Sequence, residues 1–409
     1  MISLFALRKS LKASVSLPAS KSESNRVLII NALCQGRSEI RNLSSARDTQ
    51  TMIKLLDSEG HVLDVIDAGT TMRFLTAYFA AVGRDQILTG TPRMCKRPIG
   101  ILVDALRSLG ANIDYWKQEG FPPLHIVSRG EPLHGGELTM RGNVSSQFIT
   151  AILLIAPTLP GGLRLYLEGD ITSKPYIEMT RQLMLTFGVD THWENQTIVV
   201  PEKAYSPTAY TIESDWSAAS YWFSMVALAE EAEIFLEGLR ENSFQGDKAI
   251  VDYMEYFGVK AIFHADGVAL IKSAPKQTEG MLEIDFTETP DLAQTIAVVS
   301  AATGIPVKMT GLHTLRIKET DRINAIRDEL AKFGVEVQVH GDHACTITGK
   351  STASAKSIET YEDHRMAMAF APLALLQNEL LVKDHEVVKK SYPEYWEHLS
   401  AVGFKITEW

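Results

Sequence analysis

With 409 residues, 45% of them hydrophobic and 22% charged, the chain has room for two or three globular domains and is too apolar to be disordered or low-complexity. Its formal charge of −10 argues against a general nucleic-acid binder. Three scattered cysteines, Cys34, Cys95 and Cys345, exclude a disulfide framework or a cysteine-based zinc site and suit a reducing compartment. The apolar run at the N-terminus is too short for a signal peptide, and the longest apolar stretch, 366–376, reaches about half a membrane span and contains Pro372. A soluble, cytoplasmic protein is expected.

Taken in chain order, the predicted elements repeat. Six segments read as the end of a helix, then glycine, then a short strand: 55–62, 106–113, 183–190, 253–260, 330–337 and 399–406. Their glycines are Gly60, Gly110, Gly188, Gly258, Gly334 and Gly403, each placed to close a helix in the left-handed conformation. Three copies continue into a polar turn and a second strand, as in 259–271 and 335–348. The predicted unit is therefore helix plus antiparallel strand pair, which does not suit a doubly wound parallel sheet. Six units divide naturally into two similar domains of three, with 201–213 as the crossover. His340 and His343 are expected at a hairpin tip.

The other ends of these helices carry the polar residues. Clusters at 18–26, 67–73, 142–147, 172–176, 318–322 and 361–365 each open into an apolar helical run. Ser, Thr and Asp at such positions often serve only as caps; by position alone Asp291 is one. Caps do not explain Lys21, Arg26, Arg73, Lys318, Arg322 and Arg365. A cation at a helix N-terminus opposes the helix dipole, so its repeated placement there implies a bound anion. Arg93, Lys96 and Arg97 add a cationic loop to an otherwise acidic chain. No dinucleotide fingerprint, P-loop or nucleophile elbow is present.

Eight strings, in order, resemble the 5-enolpyruvylshikimate-3-phosphate (EPSP) synthase family. They are Leu17-Pro-Ala-Ser-Lys-Ser-Glu-Ser-Asn-Arg, Asp67-Ala-Gly-Thr-Thr-Met-Arg, Pro92-Arg-Met-Cys-Lys-Arg-Pro-Ile-Gly, Val144-Ser-Ser-Gln-Phe, Ser173-Lys-Pro-Tyr-Ile, Arg316-Ile-Lys-Glu-Thr-Asp-Arg, Asp363-His-Arg-Met-Ala-Met and Lys390-Ser-Tyr-Pro. The resemblance implies an α/β (α+β) fold of two domains, each of three βαβαββ repeats about a pseudo-threefold axis, inverse α/β barrel-like. It places the domains at 14–213 and at 1–13 plus 214–409, with the active site in the cleft between them.

The implied reaction moves the enolpyruvyl group of phosphoenolpyruvate (PEP) to the 5-hydroxyl of 3-phosphoshikimate, releasing phosphate, a transferase step in chorismate and aromatic amino-acid biosynthesis. By the resemblance Lys21, Ser22, Arg26, Ser145, Ser146, Gln147, Ser173, Tyr176, Asp291 and Lys318 hold 3-phosphoshikimate. Lys21, Gly69, Arg73, Arg97, Gln147, Glu319, Arg322, Arg365 and Lys390 hold PEP. Asp291 is the implied base, Glu319 the acid candidate, and Lys21 the third catalytic group. The two substrates together bring about −5 to −6 of charge, which suits so many cations. The resemblance implies no metal or organic cofactor; the net charge and short apolar runs point to no nucleic-acid or membrane partner, and a monomer is expected.

Four features depart from the family's pattern. The segment between Asp48 and Asp67 is short, so the first repeat is trimmed. Asp67 replaces an Asn, Thr314 stands where some members have Asn, and Phe74 follows Arg73 where Pro is common. Alternative readings are a UDP-N-acetylglucosamine enolpyruvyl transferase, for which Cys95 would be the loop cysteine, and a non-catalytic anion-binding relative.

Overall fold

The computed structural model describes residues 1–128, 130–352 and 357–409. The chain forms two compact units, one made of Met1–Ala19 with Glu213–Trp409 and the other of Ser20–Ile212. The first crossing falls later than the 13/14 boundary expected from sequence. The reason is a strand, Ser10–Ser16, which pairs in parallel with Glu231–Glu237 along its whole length and so holds those residues in the first unit.

Twelve α-helices occur among the described residues: α1 (Lys21–Leu33), α2 (Arg47–Leu56), α3 (Gly69–Ala81), α4 (Gly100–Ser108), α5 (Ser146–Ile155), α6 (Lys174–Thr186), α7 (Trp216–Leu228), α8 (Ile250–Glu255), α9 (Ala293–Thr303), α10 (Arg322–Ala331), α11 (His364–Phe370) and α12 (Tyr395–Ala401). Among the described residues the strands form five four-stranded sheets and one two-stranded sheet, none of them closed into a barrel.

One repeat shows the rule. Strands Gly136–Arg141 and Leu163–Glu168 are parallel neighbours joined through α5, as a parallel pair requires. After α6, His192–Glu194 and Thr197–Val200 form a hairpin whose second strand lies against Leu163–Glu168. The order is thus β, α, β, α, β, β. The sheet containing Val62–Asp64 and the one containing Leu282–Asp285 are built the same way.

The remaining repeats are closed by distant strands. In the first unit, the parallel pair of Ser10–Ser16 and Glu231–Glu237 brackets the whole second unit, and Ile2–Ala6 completes the last sheet between Leu380–Val382 and Phe404–Glu408. In the second unit the trimmed repeat is the two-stranded sheet, Ile40–Arg41 parallel to Tyr210–Thr211. After α2 the chain passes directly to the next sheet, so this repeat has no hairpin of its own among the described residues. Its exposed edge is only two residues long, which limits its use as a pairing template.

Helices alternate between two roles. One set is interior: α1, α3 and α5 touch one another, as do α7, α9 and α11, and of these α3, α5, α9 and α11 each directly join a parallel strand pair. All of α7 except Ser217 is buried, and α11 is buried throughout. That is why α7 carries no charged residue and α11 is apolar on every side from Met366 onward. The other helices are more one-sided; α2 buries Asp48, Thr49, Thr51, Met52 and Leu55. Five of the six repeat glycines close their helices with positive φ, from +75° at Gly334 to +109° at Gly403. Gly60 does not, because α2 already ends in a right-handed turn at Asp57.

A helix buried along its length offers only its ends to solvent. Each polar cluster found in the sequence at the start of an apolar run therefore lies where an interior helix begins, or where the helix after it does.

Candidate active site

In the unit Ser20–Ile212 the α1 end is capped by Ser20, whose hydroxyl accepts from Glu23 N. Lys21 is the first helical residue, and its Nζ lies 3.3 Å from the buried carboxylate of Asp48. Arg26 is buried and donates to Ser22 O at 2.7 Å, Tyr176 O at 3.2 Å, Thr180 Oγ1 at 2.9 Å and Thr150 Oγ1 at 3.4 Å, beside the Phe74 ring. Burial among these neutral acceptors pulls its pKa down to about 10. Arg26 thereby ties the Ser22 and Tyr176 backbones together. Thr172 Oγ1 donates to Val144 O, which joins the Ser173 loop to the loop of Ser145. Ser145 caps α5 by accepting from Gln147 N, and Ser146 and Gln147 form its first turn. Ser173 precedes α6 with φ of +55°.

The α3 end gathers three more expected residues. Arg73 donates to Gly69 O at 3.0 Å and to Pro98 O at 3.2 Å. A Cβ on Gly69 would lie 2.7 Å from Nη1 of both Arg73 and Arg97, so two guanidinium groups rest against one glycine. The helix begins with no side-chain cap. Asp67 is paired with Arg47, whose Nη2 is 3.0 and 3.1 Å from the two carboxylate oxygens. The charge added by that departure is thus locally offset. Arg47 was invisible as a partner in the sequence because it lies twenty residues away on another helix.

The unit Met1–Ala19 with Glu213–Trp409 holds the denser cluster. Asp291 does not cap α9, whose N-terminus has no side-chain cap. Its carboxylate is instead bound by Arg322 Nη1 at 2.9 Å, Arg365 Nη2 at 3.0 Å and Lys318 Nζ at 3.5 Å. Burial alone would raise its pKa, but Arg365, Lys318 and Arg322 hold it well below the usual carboxylate range.

Arg322, 1% exposed, also binds Glu319 at 3.0 Å and Asp363 at 2.7 Å. Burial acts to lower the Arg322 pKa, yet Asp363, Glu319 and Asp291 together raise it. Asp363 is fully buried and caps α11 by accepting from Arg365 N. Arg365 donates further to Tyr221 Oη and Ser217 Oγ on α7. Lys390 is buried at the end of the turn His385–Lys390, which packs on α11. Thr314 Oγ1 is buried without a hydrogen-bond partner among the described residues.

Asp291, Glu319, Lys318, Arg322 and Arg365 thus form one network. The anchoring role of Asp363 and the α7 partners of Arg365 were missed in the sequence, although Asp363 stood inside a recognised string. His340 and His343 flank the hairpin turn as expected, bonded to Thr346 and Asp342.

Two units of repeated βαβαββ build gather cations at the starts of their helices, an arrangement suited to binding anions. A profile of the family described as EPSP synthase (3-phosphoshikimate 1-carboxyvinyltransferase) matches residues 6–62 and 54–399. A curated 3-phosphoshikimate 1-carboxyvinyltransferase of Bacteroides fragilis (strain YCH46) is 46% identical over 406 residues, covering 98% of each chain. Another from Photobacterium damsela subsp. piscicida is 36% identical over 422 residues, covering 96% of this chain and 97% of its own. A solved EPSP synthase from Acinetobacter baumannii superposes with a TM-score of 0.78 at 22% identity, covering all of both chains, which speaks to the fold. The chain belongs to the EPSP synthase family.

Proposed function

We propose that this chain transfers the enolpyruvyl group of PEP to the 5-hydroxyl of 3-phosphoshikimate, releasing phosphate in the route to chorismate and aromatic amino acids. The observation that carries the reading is the network around Asp291: two candidate proton-transfer carboxylates held among Lys318, Arg322 and Arg365 in a chain of this family.

The chemistry is addition followed by elimination. The hydroxyl oxygen attacks C2 of PEP, a base takes the hydroxyl proton, and an acid protonates the C3 methylene. The resulting tetrahedral adduct then loses phosphate from C2 and a proton from C3, giving the enol ether. Asp291 is the assigned base and Glu319 the acid. Among these cations Asp291 is a weak base, because Arg365, Lys318 and Arg322 stabilise its charge. Substrate phosphate and carboxylate groups compete for those cations, which raises the proton affinity of Asp291 when substrates are present.

Ser22, Arg26, Ser145, Ser146, Gln147, Ser173, Tyr176 and Lys318 are assigned to 3-phosphoshikimate. Gly69, Arg73, Arg97, Arg322, Arg365 and Lys390 are assigned to PEP, and Lys21 to both. The reaction fits a cytoplasmic enzyme, and no helix among the described residues is long and apolar enough to cross a membrane.

The test is phosphate release by purified protein given PEP, with and without 3-phosphoshikimate, and separately with UDP-N-acetylglucosamine. Release should require 3-phosphoshikimate and fall by orders of magnitude in Asp291→Ala and Glu319→Ala. Release with the nucleotide sugar alone would overturn the substrate, and none with either acceptor would overturn the catalytic reading.

A further inference from the structure

We propose that His61, Asp85 and His125 form a binding site for one divalent transition-metal ion of the zinc class, separate from the candidate active site. The three residues meet because of sheet topology. His61 immediately precedes strand Val62–Asp64, and Asp85 immediately precedes Gln86–Thr89, its parallel neighbour. His125 is the middle residue of Leu124–Ile126, paired antiparallel with Ile87 on the next strand over. The starts of two parallel strands and the middle of a third thus bring two imidazoles to one carboxylate.

The geometry is close to what a small metal ion requires. His61 Nε2 lies 2.7 Å and His125 Nε2 3.1 Å from the same oxygen, Asp85 Oδ1. All three ligand atoms fall within 4.8 Å of one another, and the imidazole rings stand 5.7 Å apart at 88°. Tetrahedral zinc, with nitrogen and oxygen ligands at about 2.0–2.2 Å, separates neighbouring ligand atoms by roughly 3.3–3.5 Å. Widening the His61 contact by about 0.6–0.8 Å and the His125 contact by about 0.2–0.4 Å therefore reaches the zinc spacing. The side chains are between 26% and 54% exposed, so rotamers can adjust and water can take a fourth place.

Two imidazoles and one carboxylate suit zinc, nickel, cobalt or copper; magnesium and calcium prefer all-oxygen sets. The surroundings add support to His125. Asp114 is its cross-strand partner on the side away from Ile87, contributing a further negative charge, and the Trp116 ring stands edge-on to it at 6.4 Å between centroids.

The site lies at the opposite end of the strands from the anion-handling loops. Gly69 and Arg73 on α3, and Arg97, follow the C-terminal ends of Val62–Asp64 and Gln86–Thr89; His61 and Asp85 precede their N-terminal ends. Three or four strand residues put about 10–13 Å between the two ends. Metal at this position is accordingly a structural or regulatory ligand of the sheet.

The experiment uses the tag-free full chain, stripped with chelator and titrated calorimetrically with ZnCl2, NiCl2 and MgCl2. Zinc and nickel should each bind at one equivalent, at least about tenfold more weakly in His61→Ala or His125→Ala, and magnesium should not compete. Zinc binding of unchanged affinity in the double variant, or no binding by the unaltered chain, overturns the site. A second measurement needs no substitution: zinc should slow carbethoxylation of His61 and His125, read by peptide mass spectrometry, while leaving His192 unaffected. Equal rates at His61 and His125 with and without zinc also overturn it.

Discussion

Replacing Asp363 with Ala tests the electrostatic frame of the candidate site. The carboxylate is fully buried, accepts from Arg322 Nε at 2.7 Å, and caps α11 through Arg365 N at 2.9 Å. Losing a cap costs about 1 kcal/mol. Breaking a buried ion pair by removing one partner costs roughly 3–5 kcal/mol, because the other charge is left uncompensated. Arg322 keeps Asp291 and Glu319, so the lower end applies. The expected loss is about 4 kcal/mol in total, a large share of the roughly 5–15 kcal/mol by which a domain is stable.

Asp363→Asn keeps an acceptor for Arg365 N and loses only the charge, so its cost should be smaller, about 2–3 kcal/mol. Urea unfolding followed by tryptophan fluorescence reads this, since Trp216 and Trp222 are fully buried in the same unit. In phosphate-release assays the released Arg322 should raise KM for PEP at least about tenfold. A stability loss below about 1 kcal/mol for the Ala variant, with unchanged KM, would refute the assignment of Asp363 as the anchor of Arg322.

Asp291 should make stability depend on acid pH. Its folded pKa is depressed below the ordinary 3.8, so its ionisation stabilises the fold above that value and the contribution is lost as pH falls toward the folded value. The melting-temperature gap between the unaltered chain and Asp291→Asn should be constant from neutral pH to about 5 and shrink below about 4; a gap that closes above pH 5 contradicts this. Gly69→Ala should leave stability within about 1 kcal/mol yet raise KM for PEP about tenfold, because the new methyl displaces the Arg73 and Arg97 guanidinium groups. An unchanged KM in steady-state kinetics would separate those arginines from PEP. Arg47→Ala breaks a half-exposed pair, so it should cost under about 1 kcal/mol while raising KM for PEP severalfold. A second substitution, Asp67→Asn, should restore that KM; failure to restore it would mean the Asp67 charge does not act on the site.

Much of the architecture is legible in the chain because it rests on local physics. Helix-closing glycines, alternating strands and hairpin turns are short-range signals, and repetition amplifies them. Gly60 shows the limit: the wording matches its sister positions, yet α2 has already ended at Asp57. The interior helices are legible too, since a helix surrounded by protein carries little charge along its length, as α7 and, after Arg365, α11 do. Cations at helix starts are legible as an electrostatic oddity that only an anion justifies.

Tertiary structure alone decided which charges face one another. Asp291 reads as a cap but binds three cations, because α10 and α11 bring Arg322 and Arg365 to it from 31 and 74 residues away. Arg47 answers Asp67, and His61, Asp85 and His125 converge on one oxygen, only once helices and strands are set side by side. The same holds for closure of the sheets by Ile2–Ala6 and by Tyr210–Thr211. Local sequence determines what each segment is. Pairings between distant segments depend on packing every interior helix at once, and no local signal encodes that.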